Sequence, residues 1–396
     1  MSFRALFSFT LLIFAGMSMV FSPIAFGQTE KPMIYAPHTS VEYAEDVGAR
    51  FHTNHLFLGK PSKGLGPSGG MVPGQLRSFY GMPATGGSGV IAIVDAYDYP
   101  TALNDFNVFA KQFGLPTEVS TNPTSATNRV FQVVYAKGKK PAADASWAQE
   151  SALDIEWAHA MAPYAKIVLV ESASSNLSDM FAAVDVASSI PGVREVSMSW
   201  SSSEFRTESS YDTHFSRSKS GIVYFAASGD FDGVVQYPAA SPYVVGVGGT
   251  SIKTDSLGSL VSETGWAGSG GGPSFYERKP SYQTNVANTG TTRSVPDIAS
   301  DADPNTGVSV YDSTPYAGYV GWMVFGGTSV SSPCMAGMVN VAGSSLDTPT
   351  ELTSMYSSRG SNLFRDITSG TAGSFRCLPG WDFVTGLGSP EGVGGI

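Results

Sequence analysis

Gly326-Gly327-Thr328-Ser329-Val330-Ser331-Ser332-Pro333 is the stretch on which the reading of this chain turns. A serine follows a Gly-Gly-Thr turn and heads an apolar run from Val330 to Val341. That pattern presents a hydroxyl on the first turn of a buried helix, where α/β folds place nucleophiles. The five histidines, His38, His52, His55, His159 and His214, include no His-Gly-Thr-His segment. If Ser329 is a nucleophile, something other than such a histidine must take its proton.

Upstream, Ser146 is expected to cap a helix, with Gln149 completing a capping box. That helix carries Glu150-Ser-Ala-Leu-Asp154. At about 100° per residue, Glu150 and Asp154 lie about 40° apart on one face, and Trp157 joins their stripe. Glu156 and His159 point elsewhere, at about 240° and about 180° from Glu150. Two carboxyls in contact share a proton or have their pKa values driven apart, as an acid/base device requires. A pair of solvated surface acids fits the spacing equally, but Ala152, Leu153, Ile155, Trp157 and Ala158 are apolar flanks for a surface helix.

Ile222 to Ala227 reads as a buried parallel strand ending in Ser228-Gly229-Asp230-Phe231-Asp232-Gly233. Parallel sheets bind ligands at such carboxyl ends. By type alone Asp230 is equally a turn residue or a helix cap. Further strands are expected at Val90–Val94, Ile167–Val170, Val193–Trp200 and Val244–Val247, and helices at Asn104–Phe113, Ser146–Met161, Asp179–Ser188 and about Glu208–Arg217. The alternation implies a mostly parallel sheet with helices on both faces. Residues 1–27 read as a signal peptide: Arg4, an apolar or small run from Ala5 to Phe21, then Ala25-Phe26-Gly27. Residues 28–72 read as an irregular arm, and 73–396 as one catalytic domain.

The 396 residues carry a net charge of −10, which argues against nucleic acid. Only 14% are charged, which suits an acidic medium where carboxylates are neutralised. No segment after the leader spans a bilayer, so an exported monomer free of the membrane is expected, extracellular or periplasmic. Export makes a Cys334–Cys377 disulfide the expected fate of the two cysteines, worth about 4 kcal/mol in the chain-entropy model.

Three segments together, Glu150-x-x-x-Asp154, Ser228-Gly229-Asp230 and Gly327-Thr328-Ser329, resemble the sedolisins, serine-carboxyl peptidases of subtilisin-like fold. Tyr237-Pro238-Ala239-Ala240-Ser241-Pro242, Gly270-Gly271-Gly272-Pro273-Ser274 and Val295-Pro296-Asp297 extend the resemblance across about 73–396. It implies a three-layer α/β fold with a mostly parallel central sheet flanked by helices. It implies a serine-carboxyl endopeptidase in which Ser329 is the nucleophile, Glu150 the general base, Asp154 its support and Asp230 the oxyanion-hole acid. A carboxyl donates a hydrogen bond only when protonated, so activity at roughly pH 3 to 5 is expected. The resemblance also implies one structural Ca²⁺, with side-chain oxygens from Asp366 and Asp382 and carbonyls from Ile367, Leu378 and Gly380; the family usually has glycine where Leu378 stands.

Asp95, Asp232, Ser331 and Ser332 are read as structural. The chain departs from the family in lacking a long folded pro-domain, leaving residues 28–72 as a candidate cover for the cleft. It also departs at Ser201-Ser202-Ser203-Glu204 and at Phe231, which touch the substrate pocket and the oxyanion loop. The rival readings are an inactive relative serving as a binding or inhibitory module, and an esterase or amidase using the same groups.

Overall fold

The computed structural model describes residues 33–62, 64–216, 221–343 and 347–396. The signal-peptide reading of residues 1–27 lies outside them. At the centre is an eight-stranded sheet. Its spatial order runs Leu260–Gly265, Val245–Thr254, Val223–Ala227, Val193–Met198, Val90–Ala96, Lys166–Ser172 and Phe131–Tyr135, with Ile298–Asp301 also paired to Val245–Thr254. Every pairing is parallel except that of the edge strand Leu260–Gly265. The central strands are apolar through their middles and buried along nearly their whole length because both faces are covered. Ala102–Phe113, Ala145–Met161 and Thr328–Ala342 contribute to the core on one face, and Leu177–Ala187 to the core on the other. This is the subtilisin-like three-layer α/β architecture expected from the sequence.

Ala145–Met161 is capped by Asp144, not by Ser146: the Asp144 carboxylate accepts the Ser146 and Trp147 N–H groups at 2.9 and 3.0 Å. Every residue from Ser146 to Met161 is buried. The helix is enclosed all round, so its sequence shows little amphipathic periodicity. On one side it meets the serine helix Thr328–Ala342. A Cβ added at Gly337 would fall 2.6 Å from Met161 Cβ and 3.0 Å from the Ala158 carbonyl oxygen, so only glycine permits this approach. On the other side the Trp157 indole donates to the Ser309 carbonyl at 3.0 Å, within a long hairpin, Val308–Tyr316 and Tyr319–Gly326.

Other expectations need correction. The helix expected over about 208–217 is only a 3-10 turn, Glu208–Ser210, and one turn, Thr213–Ser216. Val193–Trp200 is not continuous: Val193–Met198 stays in the main sheet, while Trp200–Ser203 leaves it to pair elsewhere. Cys334 and Cys377 form no disulfide; both are free and buried. Cys334 lies in the main core beneath the sheet, whereas Cys377 belongs to a separate small cluster with Ile367, Ala372 and Val384. The two thiols pack against different sets of neighbours, and burial pushes both well above the ordinary thiol range.

The arm is ordered over its described part. His52–Thr53 pairs with Trp200–Ser203. Leu56–Leu58 pairs with the end of Tyr319–Gly326, and Ile34–Tyr35 pairs with Leu56–Leu58. Two short strands thus bracket residues 54 and 55, which cross the head of the serine helix.

Candidate active site

Ser329 is the second residue of its helix, two positions after the capping Gly327, whose φ of 94° is left-handed. Pro333 has no N–H, so the Ser329 carbonyl lacks its usual helix partner. Ser199 Oγ lies 3.4 Å from that oxygen and donates to Asp154 Oδ1 at 2.8 Å. The Ser329 hydroxyl itself donates to the Ser199 carbonyl at 3.1 Å. Ser199 therefore links the serine turn to the carboxylate helix.

Glu150 and Asp154 are fully buried one turn apart. Burial, the Asp95 carboxylate and Glu150 together hold the Asp154 carboxyl well above the usual range. That favours the protonated form, which can donate, and both Asp154 Oδ2 and Glu150 Oε1 are buried without another partner. Asp95 is part of this group. It sits near the end of strand Val90–Ala96, wholly buried, and is pushed up by burial and by Glu150. The sequence reading set Asp95 aside as structural for want of a histidine partner. Its place at the carboxyl end of a central parallel strand was the signal that it faces the site.

Asp230 follows strand Val223–Ala227. Its Oδ1 accepts the Thr328 N–H and hydroxyl, both at 2.8 Å. Its Oδ2 is buried without a partner. Burial raises this carboxyl to about 8 despite the Thr328 bonds, and Glu150 pushes the same way. A Cβ added at Gly327 would lie 2.5 Å from Asp230 Oδ2 and 2.2 Å from the Asn54 carbonyl oxygen. The carboxyl and that peptide oxygen thus face the same small space. The Asn54 oxygen also accepts the Ser329 N–H at 3.0 Å. Of the residues named from sequence, Ser329 and Asp230 meet beside a peptide carbonyl of the arm, while Asp154 is tied to the serine turn through Ser199 and Glu150 to the arm through His55.

The arm brings a residue that sequence reasoning did not place. His55 Nδ1 lies 2.8 Å from Glu150 Oε2, and its ring stacks on Phe325 with centroids 5.6 Å apart. No local motif marks His55, because the contact spans 95 residues. The other residues weighed from sequence lie apart from this chemistry. Asp232 is exposed in a turn. Ser331 Oγ donates to the Ser300 and Asp301 carbonyls, and Ser332 Oγ meets Ser197 Oγ. Glu156 accepts the Tyr311 N–H, and His159, lowered to about 4 by burial, meets the Pro116 carbonyl. Phe231 sets its ring edge to face against His52.

In the C-terminal loop, Asp366 accepts the Gly380 N–H on both oxygens at 3.1 Å. Asp382 accepts the Leu378, Val384 and Thr385 N–H groups at 2.8–3.0 Å. Both carboxylates therefore reach the turn 378–380. Among the described residues no three His, Cys, Asp or Glu side chains gather as a metal group. An ion here would rest on two carboxylates supplemented by carbonyls, an all-oxygen set of the kind Ca²⁺ takes.

The model for the subtilase family matches residues 142–372. Sedolisin from Pseudomonas sp. (strain 101) is 37% identical over 175 residues, 39% of this chain and 28% of that protein. Kumamolisin from Bacillus sp. (strain MN-32) is 33% identical over 281 residues, 62% of this chain and 49% of that protein. The chain thus spans at most about half the length of these two relatives. Among solved structures, Pseudomonas sedolisin, a serine-carboxyl proteinase complexed with two molecules of pseudo-iodotyrostatin, superposes with a TM-score of 0.69 at 26% identity. That match covers 81% of this chain and 95% of that one. The chain belongs to the subtilase family, on its sedolisin branch.

Proposed function

We propose that this chain is an exported, acid-acting serine-carboxyl endopeptidase that attacks peptide carbonyls with Ser329. The observation that carries the reading is what meets at one carbonyl oxygen: the Ser329 N–H donates to it at 3.0 Å, and the Asp230 carboxyl, which burial keeps protonated, faces the same small space with one oxygen unpartnered. Negative charge developing on that oxygen would be stabilised by both, and fixed donors of this kind are usually the largest single contribution to such catalysis. Glu150 is the base. Asp154, one turn on and raised well above the usual range, supports it as a hydrogen-bond donor. In the arm-filled state Ser329 Oγ points to the Ser199 carbonyl and Glu150 is held by His55. Attack requires the serine to turn and Glu150 to exchange the imidazole for the hydroxyl.

Acid action is supported by the wider population of buried acids. Burial raises Glu171, Glu195 and Glu277 to about 8, Asp312 to about 7 and Asp212 to about 6. Such a protein is built to hold its carboxyls neutral. Export follows from the apolar leader read in residues 1–27. One Ca²⁺ is proposed on Asp366 and Asp382 with the Ile367, Leu378 and Gly380 carbonyls, where it would brace the loop 366–382. The test of the central reading is cleavage of an unfolded protein at pH 3 to 5, which Ser329→Ala should abolish. Undiminished cleavage by that variant would refute it.

A further inference from the structure

We propose that the cleft cuts on the carboxyl side of asparagine, and that its first such bond is its own Asn54–His55. The inference rests on the peptidase reading and adds the residues the cleft selects.

The arm lies in the cleft as an extended strand. His52 and Thr53 pair with Ser201 and Trp200, and the Asn54 N–H donates to the Ser199 carbonyl at 3.2 Å. Strand addition to an exposed edge gives affinity through the main chain and leaves selection to side chains. The register puts the Asn54 carbonyl on the Ser329 N–H. Residues before and after Asn54 are held by separate strands, so the Asn54–His55 peptide is fixed across the serine.

The Asn54 side chain is 1% exposed and is read at both ends. Its Oδ1 takes the Ser201 hydroxyl at 2.9 Å, a proton shared with Gln236, and its Nδ2 reaches the Ser199 carbonyl at 3.5 Å. Leucine here would forfeit both side-chain contacts, leaving the Ser201 hydroxyl to Gln236 alone and an apolar branch against two polar groups. Aspartate, once ionised, would set an acceptor against the Ser199 carbonyl. Three residues earlier, Phe51 fills an aromatic slot, its centroid 4.4 Å from Trp200 and 5.5 Å from Phe181. The cleft thus reads phenylalanine, two intervening residues, then asparagine.

In the reaction Ser329 Oγ bonds to the Asn54 carbonyl carbon while its proton passes to Glu150. The carbon–nitrogen bond to His55 then breaks, and Glu150 delivers the proton to the departing His55 nitrogen. Water attacks the Asn54 acyl-serine with Glu150 again as base, and Ser329 recovers its proton. One peptide bond and one water become one carboxyl group and one amine.

The test uses the full chain at acid pH. Sequencing of the product should show a new terminus starting at His55, absent from Ser329→Ala. Quenched peptides containing Phe-His-Thr-Asn-His should be cut after asparagine. Their leucine counterparts should have kcat/KM about 10-fold lower, the loss expected when hydrogen bonds to a buried side chain are forfeited, and aspartate counterparts should fall behind asparagine as pH rises and their carboxyl ionises. Ser201→Ala should narrow that ratio. Digestion of unfolded protein with Asn54–His55 left whole, or with leucine accepted as readily as asparagine, overturns this proposal and leaves the peptidase reading standing. Absence of any digestion overturns both.

Discussion

His55 Nδ1 sits 2.8 Å from Glu150 Oε2, with both side chains fully buried. The proposed base is therefore engaged by the chain's own arm rather than by Ser329. Proteolysis has to wait until this contact breaks. His55→Ala should shorten the lag in progress curves of acid proteolysis and lower the melting temperature, since a buried polar contact worth about 1–3 kcal/mol is lost. Identical lag times in the variant and the parent would count against a holding role for His55.

Asp230 should act as a donor over the pH range in which it keeps its proton. Its carboxyl is raised to about 8, so the donor is present below that value and lost above it. Asp230→Ala should cut kcat by about 10²- to 10³-fold, the usual cost of removing one oxyanion donor. Asp230→Asn retains a donor that does not titrate. Its pH–rate profile should lack any fall near pH 8 assignable to residue 230, and a fall retained there in the variant would reassign that titration.

Stability should be greatest in acid. For a carboxyl raised on folding, the unfolded chain gives up its proton first, at about pH 4. The favourable difference is complete below that pH and disappears as the folded groups ionise. Asp212 does so at about 6, Asp312 at about 7, and Asp230, Glu171, Glu195 and Glu277 at about 8. The melting temperature should therefore fall steadily from pH 4 to pH 8. A curve flat or rising over that interval would contradict the protonated interior.

Calcium removal should lower the melting temperature through the loop 366–382. Asp366→Asn combined with Asp382→Asn should remove the response to chelator. A parent protein that melts identically in excess chelator and in added Ca²⁺ carries no ion there.

The sequence by itself determined the order of the chemistry-bearing segments and the parallel sheet beneath them. Glu150 and Asp154 share a helix face because helical geometry fixes the angle between positions four apart. Asp230 and Ser329 lie where strand-end and helix-start patterns put them, and both patterns are local. The tertiary structure decided what depends on contacts between distant segments. It put Asp95 into the carboxyl group of the site, set His55 on Glu150 across 95 residues, and seated Asn54 against Ser329. It also kept Cys334 and Cys377 in separate clusters, which an even cysteine count does not reveal. Residues 28–72 read as irregular because their strands are two or three residues long and are stabilised only by the edges they join. Burial did the rest: the identity of a carboxyl sets its ordinary pKa, but only the packed interior around it decides whether it holds a proton.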